Sequence, residues 1–191
     1  MGREFELKYR AGKETQDAVK ERFGPFTAIT METAYHDTAG HALANRKWML
    51  RRRLENGKSV CTLKTPLPDG SRGEWEVECG SIEAAIPKLC ALGAPKELDE
   101  LTAPGLQEVC SARFTRQAAT LELDGCTVEL ALDQGALYGG GREQPLSELE
   151  VELKAGSEEA AARFARELAA EYGLKAEPKS KVQRARALAG F

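Results

Sequence analysis

No apolar stretch in this chain approaches the roughly 20 residues a helix needs to cross a bilayer. The opening MGREFELKYR has no apolar segment of the kind that marks a secretory leader. The expectation is a cytoplasmic protein with no membrane partner. Histidine occurs twice, at His36 and His41, both read as turn residues without a partner at metal-ligand spacing. The five cysteines (Cys61, Cys79, Cys90, Cys110, Cys126) are odd in number and never form C-x-x-C, so they read as free, buried thiols. An excess of positive charge is also missing. With 27 Lys plus Arg against 30 Asp plus Glu and a net charge of -3, the chain lacks the electrostatic footprint of a general nucleic-acid binder. Any anion site must be local.

What remains is a chain of 191 residues, 42% hydrophobic and 30% charged, enough to bury a core as one domain. Helices are expected over Gly12 to Gly24, from a Ser81 cap to Leu92 with Pro87 as a bend or break, after Ser157, and briefly after EPKSK. Residues 93–104 read as a loop or a turn of helix. Strands are expected at Arg3 to Arg10, Ala28 to Thr38, Lys47 to Thr65 as a hairpin turning on Asn56-Gly57, and Arg72 to Cys79. The second half repeats the idiom: LQEVCSARFTR, AATLELD, CTVELALDQG, a glycine-rich loop YGGGREQP, and LSELEVELKAG.

Alternation puts charge on one face of nearly every strand. Glu4, Glu6, Lys8 and Arg10 share a face opposite Phe5, Leu7 and Tyr9. Arg51 and Arg53; Thr62 and Lys64; Arg72, Glu74 and Glu76; Glu129 and Asp133; and Glu148, Glu150, Glu152 and Lys154 keep the same spacing. One such strand is an ordinary solvated sheet face. The whole set, dominated by Glu and Arg, predicts an α+β fold: a closed antiparallel β-barrel of about eight strands with its charges lining a tunnel and helices packed on its outer apolar face. Charges taken from water must be paired or filled, at several kcal/mol per ion. Arginine rows suit a polyanion and clustered carboxylates suit a hard divalent cation, so a polyphosphate with its metals satisfies both.

These residues resemble the CYTH, or triphosphate tunnel metalloenzyme, superfamily. EFELK has its E-x-E-x-K signature, and YHDT, LRRR, TLK, RGEWE, RFTR, ELALDQG, SELEVELKAG and KSK follow in order. The resemblance covers 1–191 as a single CYTH domain. ELALDQG and ELEVELKAG look most like the bacterial inorganic triphosphatase branch, which implies an enzyme: a Mg²⁺- or Mn²⁺-dependent hydrolase cleaving tripolyphosphate to pyrophosphate and phosphate. Members of that branch often carry a second, helical, histidine-rich domain, which these residues do not spell out.

The resemblance implies metal binding by Glu4, Glu6, Glu148, Glu150 and Glu152, with Asp133 as an addition. Lys8, Arg51, Arg53, Lys64, Arg72, Arg116 and Lys154 would grip phosphates, and Lys181 would close over them from the last helix. Glu4, Glu6 and Lys8 form the implied catalytic set; Glu74, Glu76 and Glu129 orient cations. Two alternatives stay open. One is a thiamine triphosphatase or other organic triphosphate phosphatase of the superfamily. The other is a non-catalytic module that binds polyphosphate or a nucleotide.

Overall fold

In a computed structural model that describes residues 2–3, 5–68 and 72–191, the elements follow one another as β1 (Gly2–Arg3), β2 (Glu6–Arg10), α1 (Lys13–Phe23), β3 (Thr27–Asp37), α2 (Ala42–Asn45), β4 (Met49–Glu55), β5 (Lys58–Pro66) and β6 (Arg72–Glu78). Then come α3 (Ile82–Ala91), α4 (Glu97–Thr102), β7 (Gln107–Leu123), β8 (Cys126–Gly139), β9 (Arg142–Gly156), α5 (Glu158–Glu171), β10 (Lys175–Ala176) and α6 (Lys181–Ala189). Glu4, expected to be a metal ligand and catalytic residue, lies outside the described residues.

The strands form one ten-stranded sheet in the order β1-β6-β5-β4-β3-β7-β8-β9-β2-β10. This corrects the expected closed barrel of about eight strands. The N-terminal segment supplies both β1, paired with β6, and β2, paired with β9. Among the described residues the sheet is therefore not closed by hydrogen bonds.

Local chemistry explains most boundaries. Asn56 and Gly57 take φ of 49° and 85°, the double positive φ that a two-residue hairpin turn requires. Ser81 and Ser157 cap α3 and α5, their hydroxyls accepting from the N–H groups of Ala84 and Ala160. Helix α3 continues through Pro87 to Ala91, although an interior proline removes one intrahelical bond and crowds the carbonyl four residues before it. Three other expectations change. The segments read as two strands across Gln117 form one strand, β7, of 17 residues, and the glycine-rich loop shrinks to a turn at Gly140-Gly141 between β8 and β9. His36 belongs to β3 and not to a turn.

Alternation sorts the apolar residues into two outer cores. Val128, Leu130, Leu132, Leu149 and Val151 pack under Val19 of α1 and Ala161, Ala165 and Leu168 of α5. Leu50, Leu63 and Trp75 pack under Ile82, Ile86 and Leu89 of α3 and Leu98 of α4. Each fully buried side chain of this size contributes about 1.5–3 kcal/mol.

A third cluster lies on the opposite, concave face. Met31, Tyr35, Phe114 and Leu137 meet Val182 and Ala185 of α6 there. Helix α6 is thus an exception to the expectation that helices cover only the outside. Its start is fixed by a capping box in which the Ser180 hydroxyl accepts from the Gln183 N–H and the Gln183 amide oxygen accepts from the Ser180 N–H. Its close seat against β8 depends on Gly139, where a Cβ would stand 2.3 Å from the Ala185 carbonyl oxygen.

Candidate active site

The concave face encloses a cavity of about 560 Å³ lined by β2 to β9 and the start of α6. Glu6, Lys8, Arg51, Arg53, Lys64, Arg72, Arg116, Glu150, Glu152, Lys154 and Lys181 all line it. Asp133 and Glu148 do not line it; they are fully buried beside it.

One wall, from β4 to β6, is cationic. Lys64 faces Glu74 across β5 and β6, with its ammonium 3.3 Å from the carboxylate, while Arg51 stands 4.0 Å from the same group. The Thr62 hydroxyl donates to Glu76 at 3.0 Å, and Arg53 pairs with Glu55. Burial, then repulsion from Arg51, holds Arg53 below the ordinary arginine range. The Nε atoms of both arginines are buried without a hydrogen-bond partner. Buried donors without acceptors are uncommon and costly. An anion in the cavity would satisfy them.

The other wall is acidic. Glu6 stands across from Glu152, Lys8 from Glu150, and Glu152 in turn from Glu129, so three carboxylates sit side by side on β2, β9 and β8. Lys8 lies 3.2 Å from Glu6 and Lys154 lies 2.8 Å from Glu152. With side chains 22%, 27% and 26% exposed, Glu6, Glu152 and Glu129 remain open to the cavity. Their oxygen donors fit a hard cation such as Mg²⁺.

Against that wall lies a buried knot of charge, of which Arg116, Glu150 and Lys181 also line the cavity. Arg116 grips Asp133 with two bonds of 2.8 Å and also touches Glu150. The Lys181 ammonium sits 2.9 Å from Asp133, 2.8 Å from Glu148 and 2.5 Å from Glu150. Arg184 contacts the other oxygen of Glu148. Burial works against the charge on Glu150, yet Lys181 and Arg116 hold its carboxyl far below the usual range. Burial likewise opposes the charge on Lys181, and the three carboxylates more than reverse that, holding its ammonium well above the ordinary lysine range. Asp133, Glu148 and Glu150 come within 4.8 Å of one another, close enough to hold a metal. The lysine ammonium already stands among them, and three cations balance three anions there.

Periodicity found the charged lining residues of β2, β4 to β6, β8 and β9, and the family resemblance added Arg116 and Lys181; neither gave a signal for three others. Arg184 and Glu177 sit on and before the last helix, where no alternation marks a buried face. Gln16 of α1 is buried and donates to the carbonyl oxygens of Asp133 and Glu148, both at 3.1 Å, pinning the backbone beneath the knot. All five cysteines are free, and burial pushes the Cys61 and Cys110 thiols up to about 11 and about 12, against nucleophilic use.

The CYTH domain model matches residues 2–185. An inorganic triphosphatase from Haemophilus influenzae is 30% identical over 164 residues, covering 82% of this chain and 47% of that protein. The chain thus spans about half the length of that curated relative. Among solved structures, an adenylyl cyclase candidate from Hippeastrum, described as having a dominant triphosphatase activity, superposes with a TM-score of 0.68 at 19% identity over 97% of this chain and 96% of its own. A protein from Pyrococcus horikoshii gives 0.64 at 25% identity over 96% and 98%. At such identities these structures speak to the fold alone.

Proposed function

This chain belongs to the CYTH domain family, and from that premise we propose that it is a metal-dependent hydrolase cleaving inorganic tripolyphosphate to pyrophosphate and phosphate. The observation that carries the reading is the pair of buried, unpartnered arginine donors on Arg51 and Arg53, which face an open row of carboxylates in one cavity. A pure anion binder has no use for the carboxylates, and a simple cation site has no use for the arginines.

In this reading Arg51, Arg53, Lys64 and Arg72 hold the phosphate chain along the cationic wall, with Lys8, Arg116, Lys154 and Lys181 meeting it from the other side. Glu6, Glu150 and Glu152, together with Glu4, hold the ion, and Glu129 stands beside them. Asp133 and Glu148 serve the site through Arg116 and Lys181. The ion, when bound, neutralises phosphate oxygens and makes water a better nucleophile. The residues themselves align the chain and spread its charge, which is most of what phosphoryl transfer asks of a protein. No covalent nucleophile is required.

One observation favours the organic-triphosphate alternative: Met31, Met49 and Phe114 line the same cavity. Their packing against α6 accounts for them without an organic ligand. The deciding experiment compares kcat/KM for tripolyphosphate, pyrophosphate, ATP and thiamine triphosphate with Mg²⁺. Tripolyphosphate should lead, and faster turnover of either organic triphosphate would reject the inorganic assignment.

A further inference from the structure

Resting on the reading of the cavity as a tripolyphosphate site, we propose that Arg184 is a positioning residue that sets Lys181 in the cavity wall, acting through Glu148. Arg184 is not among the described residues that line the cavity. It occupies one oxygen of Glu148 while Lys181 lies 2.8 Å from the other. The two cations are one turn apart on α6, so Glu148 faces both, bonded to Arg184 and in ion contact with Lys181. Arg184 is held from behind: its guanidinium lies 3.9 Å from Glu177, which accepts from the Lys179 N–H at 3.1 Å and from Arg10 at 2.8 Å. A line of alternating charge therefore runs from exposed Arg10 to the Lys181 ammonium.

Opposite charges in so buried a place are strongly coupled. With Arg184 present, Glu148 spends one oxygen on it, and Lys181 stays shared with Asp133 and Glu150 at the wall. Without Arg184, the whole charge of Glu148 falls on Lys181 and draws the ammonium back from the cavity. Phosphate affinity then drops although no phosphate contact was removed.

The test is the kinetics of Arg184→Gln on tripolyphosphate. KM should rise about tenfold while kcat stays within about threefold, the mark of lost binding and not of lost chemistry. Arg184→Lys should return KM to within about threefold of wild type, since an ammonium keeps a charge-assisted bond to Glu148. Glu177→Gln, which loosens only the outer support, should raise KM about threefold, and it carries the kinetic test if Arg184→Gln does not fold. Arg22→Gln, which breaks an exposed pair with Glu171, should change neither constant. A second measurement is independent of substrate: urea unfolding of Arg184→Gln, Lys181→Met and the double variant should be non-additive by more than about fivefold in the unfolding equilibrium. An unchanged KM in the glutamine variant, no recovery in the lysine variant, or an additive cycle would overturn the proposal. A wild-type protein that ignores tripolyphosphate rejects the functional reading instead, and the cycle then decides the role of Arg184.

Discussion

Arg53 offers a test in which stability and function should move in opposite directions. Its guanidinium is buried in the cavity wall, its Nε has no acceptor, and burial and the neighbouring Arg51 both disfavour its charge. Its ion-pair partner Glu55 is 30% exposed and can be hydrated when released. Arg53→Met keeps the apolar stem and removes the charge. Without ligand the variant should be as stable as wild type or more so, by up to about 1 kcal/mol, because an unsatisfied donor and a like-charge contact disappear. Tripolyphosphate binding should weaken by about 1.5–3 kcal/mol, the worth of a charge-assisted hydrogen bond, or roughly 10- to 150-fold in Kd. Thermal melts across a tripolyphosphate titration in EDTA read both quantities from one sample set. A melting point that falls without ligand, joined to an undiminished ligand-induced rise, would show Arg53 to be a structural ion-pair member and refute the argument.

Chelation with EDTA should abolish phosphate release, with Mg²⁺ or Mn²⁺ restoring it and Ca²⁺ failing to, since calcium's longer bonds and looser geometry fill the site without the same alignment; full turnover in chelator would remove the metal from the mechanism. Gly139→Ala should lift α6 off β8, because its Cβ meets the Ala185 carbonyl at 2.3 Å; a loss of about 1–3 kcal/mol in urea unfolding and a higher KM are expected, and wild-type values for both would show that α6 tolerates the shift. Burial opposes ionisation of Glu177, but the Lys179 N–H and Arg10 hold its carboxyl below the ordinary 4.5. A lowered carboxyl contributes stability that is full above its unfolded value and lost as pH falls through the folded one. Wild type should therefore outlast Glu177→Gln in thermal melts above about pH 4.5, with the gap closing on further acidification; a gap that widens in acid would reverse the assignment.

The lining of the site was legible in the sequence because a strand sends alternate side chains to opposite faces whatever it packs against. Glu6, Lys8, Arg51, Arg53, Lys64, Glu150 and Glu152 could be assigned to one face from spacing alone, and the outer apolar cores from the same alternation. Turn chemistry at Asn56-Gly57 and the serine caps at Ser81 and Ser157 needed only local rules. Helix α6 was a different matter. Its short sequence marks a helix but not which side of the sheet buries it, and it was the apolar half of the concave face, Met31, Tyr35, Phe114 and Leu137, that drew it inward. That docking carries Lys181 and Arg184 to carboxylates more than thirty residues away in sequence. Whether a carboxylate on the charged face meets open cavity or an ammonium is likewise a matter of depth, which alternation does not encode: Glu148 and Glu152 share a strand face, yet one is sealed under α6 and the other is open. Local sequence fixes which way each side chain points, while the partner it finds there depends on how distant segments close over it, and in a dry interior that partner sets its charge and its task.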